Sequence, residues 1–231
     1  MKRVLALLLM AMLVTTAVAC ESELDGQTAA VVTEATPDEA EEEAAEEEAV
    51  ESRTVAFNQE TSKIEWLGAK VTGDHDGGFE RWTGTAHLSA DNTLEKVEFT
   101  VDTTSIWSDN ERLTGHLKNQ DFFEVDTYPE ASFVSRSITE GVEIEGAEGT
   151  HTVTGDMTIK EETRRITFPV TVSTEGDVMT VVSNFTLMRF DFGINFRGAA
   201  DDLIRDEVLM KLHFELPLDA QAMADADTEE G

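Results

Sequence analysis

The chain of 231 residues contains one cysteine, Cys20. A single thiol excludes an internal disulfide, a CxxC redox pair and a thiolate-built metal site, and the region from about residue 54 onward has no cysteine at all. Stability there must come from burial and backbone hydrogen bonding, which a domain of this size can supply. Basic residues are also scarce, with 17 Lys and Arg against 48 Asp and Glu and a formal net charge of −31. Nucleic acid is therefore not an expected partner, because phosphate backbones are held by clustered Lys and Arg. Catalytic signatures are missing too. The histidines His75, His87, His116, His151 and His213 lie far apart, and there is no HExxH, no GxSxG elbow, no phosphate loop and no dinucleotide fingerprint. No catalytic residue, metal or cofactor is expected, and the chain does not read as an enzyme. His75, between Asp74 and Asp76, reads as part of an acidic turn with Gly77 and Gly78. The apolar run Val4 to Leu13 is too short to cross a bilayer as a mature helix.

That run follows Met1-Lys2-Arg3 and ends in Ala17-Val18-Ala19, which makes residues 1–19 a signal peptide. Small residues leading directly into Cys20 resemble the lipobox of bacterial lipoproteins. The resemblance implies that Cys20 becomes the first mature residue and carries fatty acyl chains such as palmitate on its sulfur. Glu21 after it points to the outer membrane, with the protein facing the periplasm. Residues 20–53 then read as the lipidated cysteine and an acidic, solvated linker. Glu39 to Glu51 runs EAEEEAAEEEAVE, and the segment has too little apolar surface to offset roughly 1–2 kcal/mol of backbone entropy per ordered residue. The acidic end, residues 219–231, reads the same way. One domain remains, residues 54–218.

Its dominant signal is an apolar residue at every second position, the period of half-buried strands. Ile64 and Trp66 alternate with Lys63 and Glu65; Val97, Phe99 and Val101 with Lys96, Glu98 and Thr100; Val208, Met210, Leu212, Phe214 and Leu216 with Lys211, His213 and Glu215. Similar patterns cover residues 152–160 and 165–172, with further strands expected near 80–89, 130–137, 140–145 and 178–187. Ser108 to Glu111 has the form of a capping box, and Leu113 and Leu117 lie one turn apart, which predicts one short helix. So little helix cannot cover a sheet, so the apolar faces must cover each other in a sandwich or a barrel. Period alone does not choose between these.

Four stretches do. Trp66-Leu-Gly-Ala-Lys-Val-Thr-Gly-Asp-His75-Asp-Gly-Gly-Phe79, the set His116-Leu117, Asp121-Phe122-Phe123, Tyr128-Pro129 and Phe133, the run Thr152 to Lys160 leading into Arg165 to Pro169, and Arg189-Phe-Asp191-Phe192-Gly193 together resemble the YceI-like family of bacterial secreted proteins. The resemblance implies an all-β fold, an antiparallel up-and-down lipocalin-like barrel of about eight strands with one or two short helices. It also implies an apolar tunnel holding an isoprenoid, a quinone or another long-chain amphiphile. The expected lining is the inward set Trp66, Val97, Phe99, Val101, Phe133, Met157, Ile159, Phe168, Val170, Met210, Leu212 and Phe214. Lys70, His116 and Arg189 are the candidates for headgroup contacts. Their structural alternative is pairing within the protein, His116 with Asp121, and Lys70 or Arg189 with Asp191 or Asp121. The same apolar set also fits a barrel packed solid with its own side chains, in which case the chain is a surface lipoprotein that recognises another protein. The sequence allows a homodimer and does not fix the oligomeric state. The anchor is directly testable: Cys20→Ser is expected to move the protein from the detergent phase to the aqueous phase in phase partitioning and to remove the acyl mass from its first residue. Recovery of unmodified, soluble wild-type protein from its own host would contradict it.

Overall fold

The computed structural model describes residues 22–35 and 53–219. Residues 1–19, expected as a signal peptide, Cys20, the Glu39 to Glu51 run and residues 220–231 lie outside the described residues. Thirteen strands form one antiparallel sheet. In chain order they are β1 (Val31–Glu34), β2 (Arg53–Asn58), β3 (Lys63–Lys70), β4 (Gly73–Phe79), β5 (Trp82–Leu88), β6 (Leu94–Asp102), β7 (Ile106–Ser108), β8 (Glu130–Glu140), β9 (His151–Ile159), β10 (Glu162–Glu175), β11 (Val178–Met188), β12 (Gly198–Ala199) and β13 (Asp202–Pro217). Among the described residues the one α-helix, α1 (Glu111–Leu117), follows β7, and 3-10 turns cover Thr103–Ser105 and Arg189–Phe192. The strand count exceeds the eight expected because short strands flank the long ones; the class is all-β, as the alternation implied. The segment 140–145, expected as a separate strand, is a loop after Glu140. Asn110, rather than Ser108, caps α1, its side-chain oxygen accepting from the N–H groups of Arg112 and Leu113; Ser108 instead ends β7.

Strand order is β2-β5-β6-β8-β9-β10-β11-β13-β3-β4-β7. β2 is one end of this order and pairs with β5, while β3 pairs with β13 two strands in from the other end, which β4 and β7 extend; the short turn between β2 and β3 therefore ties the first strand covalently to the far side of the sheet. Curling follows from that link. The β2 strand lies on β13, the Phe57 and Phe214 rings meet at 4.9 Å, and the Glu215 N–H donates to Ser62 Oγ at 2.8 Å.

One seam in this wall is filled by the N-terminal segment. The β10 and β11 strands pair with each other only between residues 171–175 and 178–182. Beyond that they part, and residues 28–34 enter the gap. Val31 to Glu34 run antiparallel to β10, from Val31 opposite Thr167 to Glu34 opposite Arg164, while Ala29 bridges Thr186 of β11 in the parallel sense. Ala30 N–H donates to the Thr186 carbonyl and Thr186 N–H to the Thr28 carbonyl, both at 2.9 Å. Upstream, the chain crosses the outer face of β13 and β3. Leu24 is buried there against Leu67, Ala69 and Leu209; Glu23 pairs with Lys211 at 2.6 Å, Asp25 with Arg205 at 2.9 Å, and Ser22 Oγ donates to Asp74 at 2.8 Å. Residues 22–35 thus depart from the expected solvated spacer. Composition missed them because three apolar side chains, Leu24, Ala30 and Val32, suffice where parted strands offer unpaired backbone groups that must be satisfied.

The core is solid at one end of the barrel. Phe57, Trp82, Phe99, Phe133, Phe168, Phe185 and Phe214 pack there, with Phe168 stacked on Phe185 at 4.2 Å and Phe99 on Phe133 at 5.3 Å. Phe133 fits because residue 155 on the neighbouring strand is glycine: a Cβ there would overlap its ring. Phe133 is 0% exposed, and Phe133→Ala is expected to cost about 3–5 kcal/mol, read as a lower urea midpoint with an unchanged slope.

Candidate functional site

Beyond the aromatic end the inward faces enclose a cavity of about 310 Å³, at the lower end of the size range of small-molecule sites. Strand alternation places its walls: Phe99 and Val101 from β6, Met157 and Ile159 from β9, Phe168 from β10, Phe185 and Leu187 from β11, Val208, Met210 and Leu212 from β13, and Ile64 and Trp66 from β3. The helix α1 and the loops cover the other end with Leu113, Leu117, Phe122, Phe123 and Ile194. Nearly all of the lining is carbon.

Eight of the twelve side chains expected to line a tunnel border this cavity: Trp66, Phe99, Val101, Met157, Ile159, Phe168, Met210 and Leu212. Val97, Phe133, Val170 and Phe214 face inward as well but belong to the packed end, where other side chains occupy the space. The barrel is therefore partly solid and partly hollow. Ile64 and Val208 fall on the same alternation as their neighbours and were legible from it. Phe122, Phe123 and Ile194 come from loops, whose lack of period hides which residues turn inward.

The Asp76-Gly77-Gly78 segment, expected as a turn, is the second half of β4, with Gly77 opposite Trp66 and Gly78 opposite Glu65. Gly77 is needed for closeness: a Cβ there would overlap both the Trp66 indole and the Trp107 carbonyl. The indole lies against the wall over the space that glycine leaves.

The polar border consists of Lys70, His75, Ser132 and Arg189. Lys70 Nζ bonds Asp202 Oδ2 at 2.6 Å, half-buried, so its partner is neither Asp121 nor Asp191. His75 Nδ1 meets Asp109 Oδ1 at 2.9 Å. His116 Nε2 meets Asp121 Oδ2 at 2.9 Å, its ring edge-on to Phe122 and Phe196, outside the cavity lining. Arg189 is 6% exposed, and its role follows from an irregularity in β13. Pairing with β3 breaks between Ile204 and Val208, freeing carbonyls that the Arg189 guanidinium takes up, Arg205 O at 3.0 Å and Ile204 O at 3.4 Å, with Ile194 O at 2.7 Å. Burial pushes the Arg189 pKa down, opposed by the Asp206 carboxylate and reinforced by Arg197. Its guanidinium is a clamp on the bulge and has no bond to Asp191. Among the described residues no three His, Cys, Asp or Glu side chains lie together as metal ligands, and no helix is long and apolar enough to cross a membrane.

An antiparallel sheet curled around an apolar cavity is a lipocalin-like barrel. The YceI-like domain family matches residues 48–216, and the chain belongs to that family. A UPF0312 protein of Pseudomonas putida (strain W619) is 32% identical over 137 residues, 57% of this chain and 66% of the relative, so the chain spans just under two thirds of that relative's length. The solved structure of Burkholderia cenocepacia BcnA is similar in fold, with TM-score 0.60 at 22% identity over 69% of this chain and 98% of that one. A polyisoprenoid binding domain from Saccharophagus degradans gives TM-score 0.54 at 13% identity over 71% and 99%.

The rim carries a pH signature. The hydrogen bond from Lys70 holds the Asp202 carboxyl below its usual range, although desolvation opposes it; Thr72 donates to the same carboxylate from N–H and Oγ1 at 3.1 and 3.0 Å. A depressed carboxyl stabilises the fold above its unfolded pKa of about 4, and that contribution is lost as pH falls through the folded value. Asp202→Asn is therefore expected to lower the melting temperature at pH 7, with the gap to wild type closing below about pH 4.

Proposed function

We propose that this protein is a non-covalent carrier that holds the chain of a long amphiphile, an isoprenoid, a quinone or a fatty acid derivative, inside its barrel, and that Cys20 anchors it to the outer membrane facing the periplasm. The carbon-lined cavity of about 310 Å³ carries the reading. Its walls supply almost entirely apolar surface, and each buried methylene contributes roughly 0.8 kcal/mol before the costs of association. The polyisoprenoid binding domain from Saccharophagus degradans, which shares the fold, supports the same class of ligand. The headgroup of such a ligand would meet the polar border. There Lys70 and His75 each already hold a carboxylate and Arg189 holds carbonyls, so a neutral or weakly charged headgroup fits better than one needing an unpaired cation. The alternative of a solid barrel that recognises another protein is disfavoured by the cavity.

Solvent extraction of protein purified from its own host, followed by mass spectrometry, tests this. A stoichiometric lipid or quinone is expected, and Met157→Trp or Val101→Trp, each placing an indole in the cavity, is expected to cut its occupancy severalfold while the far-ultraviolet circular dichroism stays unchanged. An empty extract, together with no rise in melting temperature on adding isoprenoids or fatty acids, would leave the interaction reading in its place.

A further inference from the structure

The strap formed by residues 22–27 ends at Ser22, beside two turns. The β3–β4 turn carries Val71, 72% exposed, and Leu203, 50% exposed, stands at the start of β13 just after the β12–β13 turn; the Val71 N–H donates to the Leu203 carbonyl at 3.1 Å and ties the two into one ridge. Val71 and Leu203 are two of four large apolar side chains that stand exposed among the described residues. Ser22 shares a cleft of mixed polar and apolar lining with this ridge, and Ala69, Lys70 and Ile204 border both the cleft and the apolar cavity. The ridge is thus the rim of the cavity on the side where the strap begins.

We propose that this rim is the protein's membrane-contacting surface, with Val71 and Leu203 inserted among the headgroups of the bilayer that holds Cys20, so that the cavity takes its ligand from the membrane at close range. This rests on the acylation of Cys20. One residue, Glu21, separates Cys20 from Ser22, and the two Cα–Cα steps between them can span no more than about 7 Å, close to the thickness of one headgroup layer, roughly 5–8 Å. The docked strap makes this reach short: Leu24 is buried on the barrel, and Glu23 and Asp25 are paired to it. The acidic run after residue 35 therefore lies between two docked strands and does not act as the spacer to the membrane. At the rim Asp202 is met by Lys70 and Asp25 by Arg205, while Asp74 accepts from Ser22 Oγ and Asp201 stands exposed, so the rim keeps a net negative charge that suits a zwitterionic surface over an anionic one.

The test uses full-length acylated protein, in which the sulfur of Cys20 is already consumed, with a nitrobenzoxadiazole label at Val71→Cys, at Leu203→Cys or, as a control, at Val178→Cys. Val178 lies opposite Pro217, at the far end of β13 from Asp202. All three sites are exposed, so folding is not at stake. The proteins are bound to vesicles of phosphatidylethanolamine and phosphatidylcholine with brominated acyl chains, after intact mass has verified acylation. Labels at Val71→Cys and Leu203→Cys are expected to be quenched severalfold more than the label at Val178→Cys. Equal quenching at all three positions in protein that floats with the vesicles would overturn the rim and leave the anchor standing. Absence of the acyl mass, or failure to float, would overturn the anchor and the rim with it.

Discussion

A sheet with one apolar face and, among the described residues, a single seven-residue helix to cover it has to cover itself. That constraint organises the molecule. Curling brings the inward residues of opposite strands together, and the direct chain link between β2 and β3 ties one end of the sheet to the strand two places in from the other. Aromatic side chains fill the narrow end, with glycine placed where Phe133 needs the volume. Toward the helix Val, Ile, Leu and Met side chains line the wall with Trp66 lying against it, Phe122 and Phe123 cover the end, and space is left between them.

Curvature has local costs, and the chain meets them with polar side chains and with its own N-terminal segment. Where β13 breaks register against β3, the freed carbonyls are bound by Arg189. Where β10 and β11 part, backbone groups that would otherwise lie open are paired by residues 28–34. A parted pair of strands beside an apolar interior is an aggregation hazard as well as a leak, and a short strand from the same chain removes both. Part of the N-terminal segment is in this way a component of the barrel wall.

These two repairs bear on function from opposite sides. Arg189, a natural candidate for an anionic headgroup, is committed to backbone carbonyls, and Lys70 is committed to Asp202. The cavity is left with shape and apolar surface as its means of recognition. The strap, in turn, fixes where the chain leaves the barrel, next to the rim formed by Val71 and Leu203.

The sequence by itself determined the all-β class, most of the strands, the short helix and which side chains turn inward, because alternation of faces is a property of extended backbone that needs no partner. It also determined the scarcity of groups for chemistry. Tertiary structure decided everything that depends on which strands meet. Lys70 finds Asp202 from 132 positions away, Gly77 serves the Trp66 indole in a strand when its neighbours suggest a turn, and residues 22–35 dock despite an acidic composition. Four of the twelve inward residues ended in solid core and eight around a cavity for the same reason. Inward direction is set residue by residue, whereas the space in front of a side chain is set by the register and curvature of strands far away in the chain.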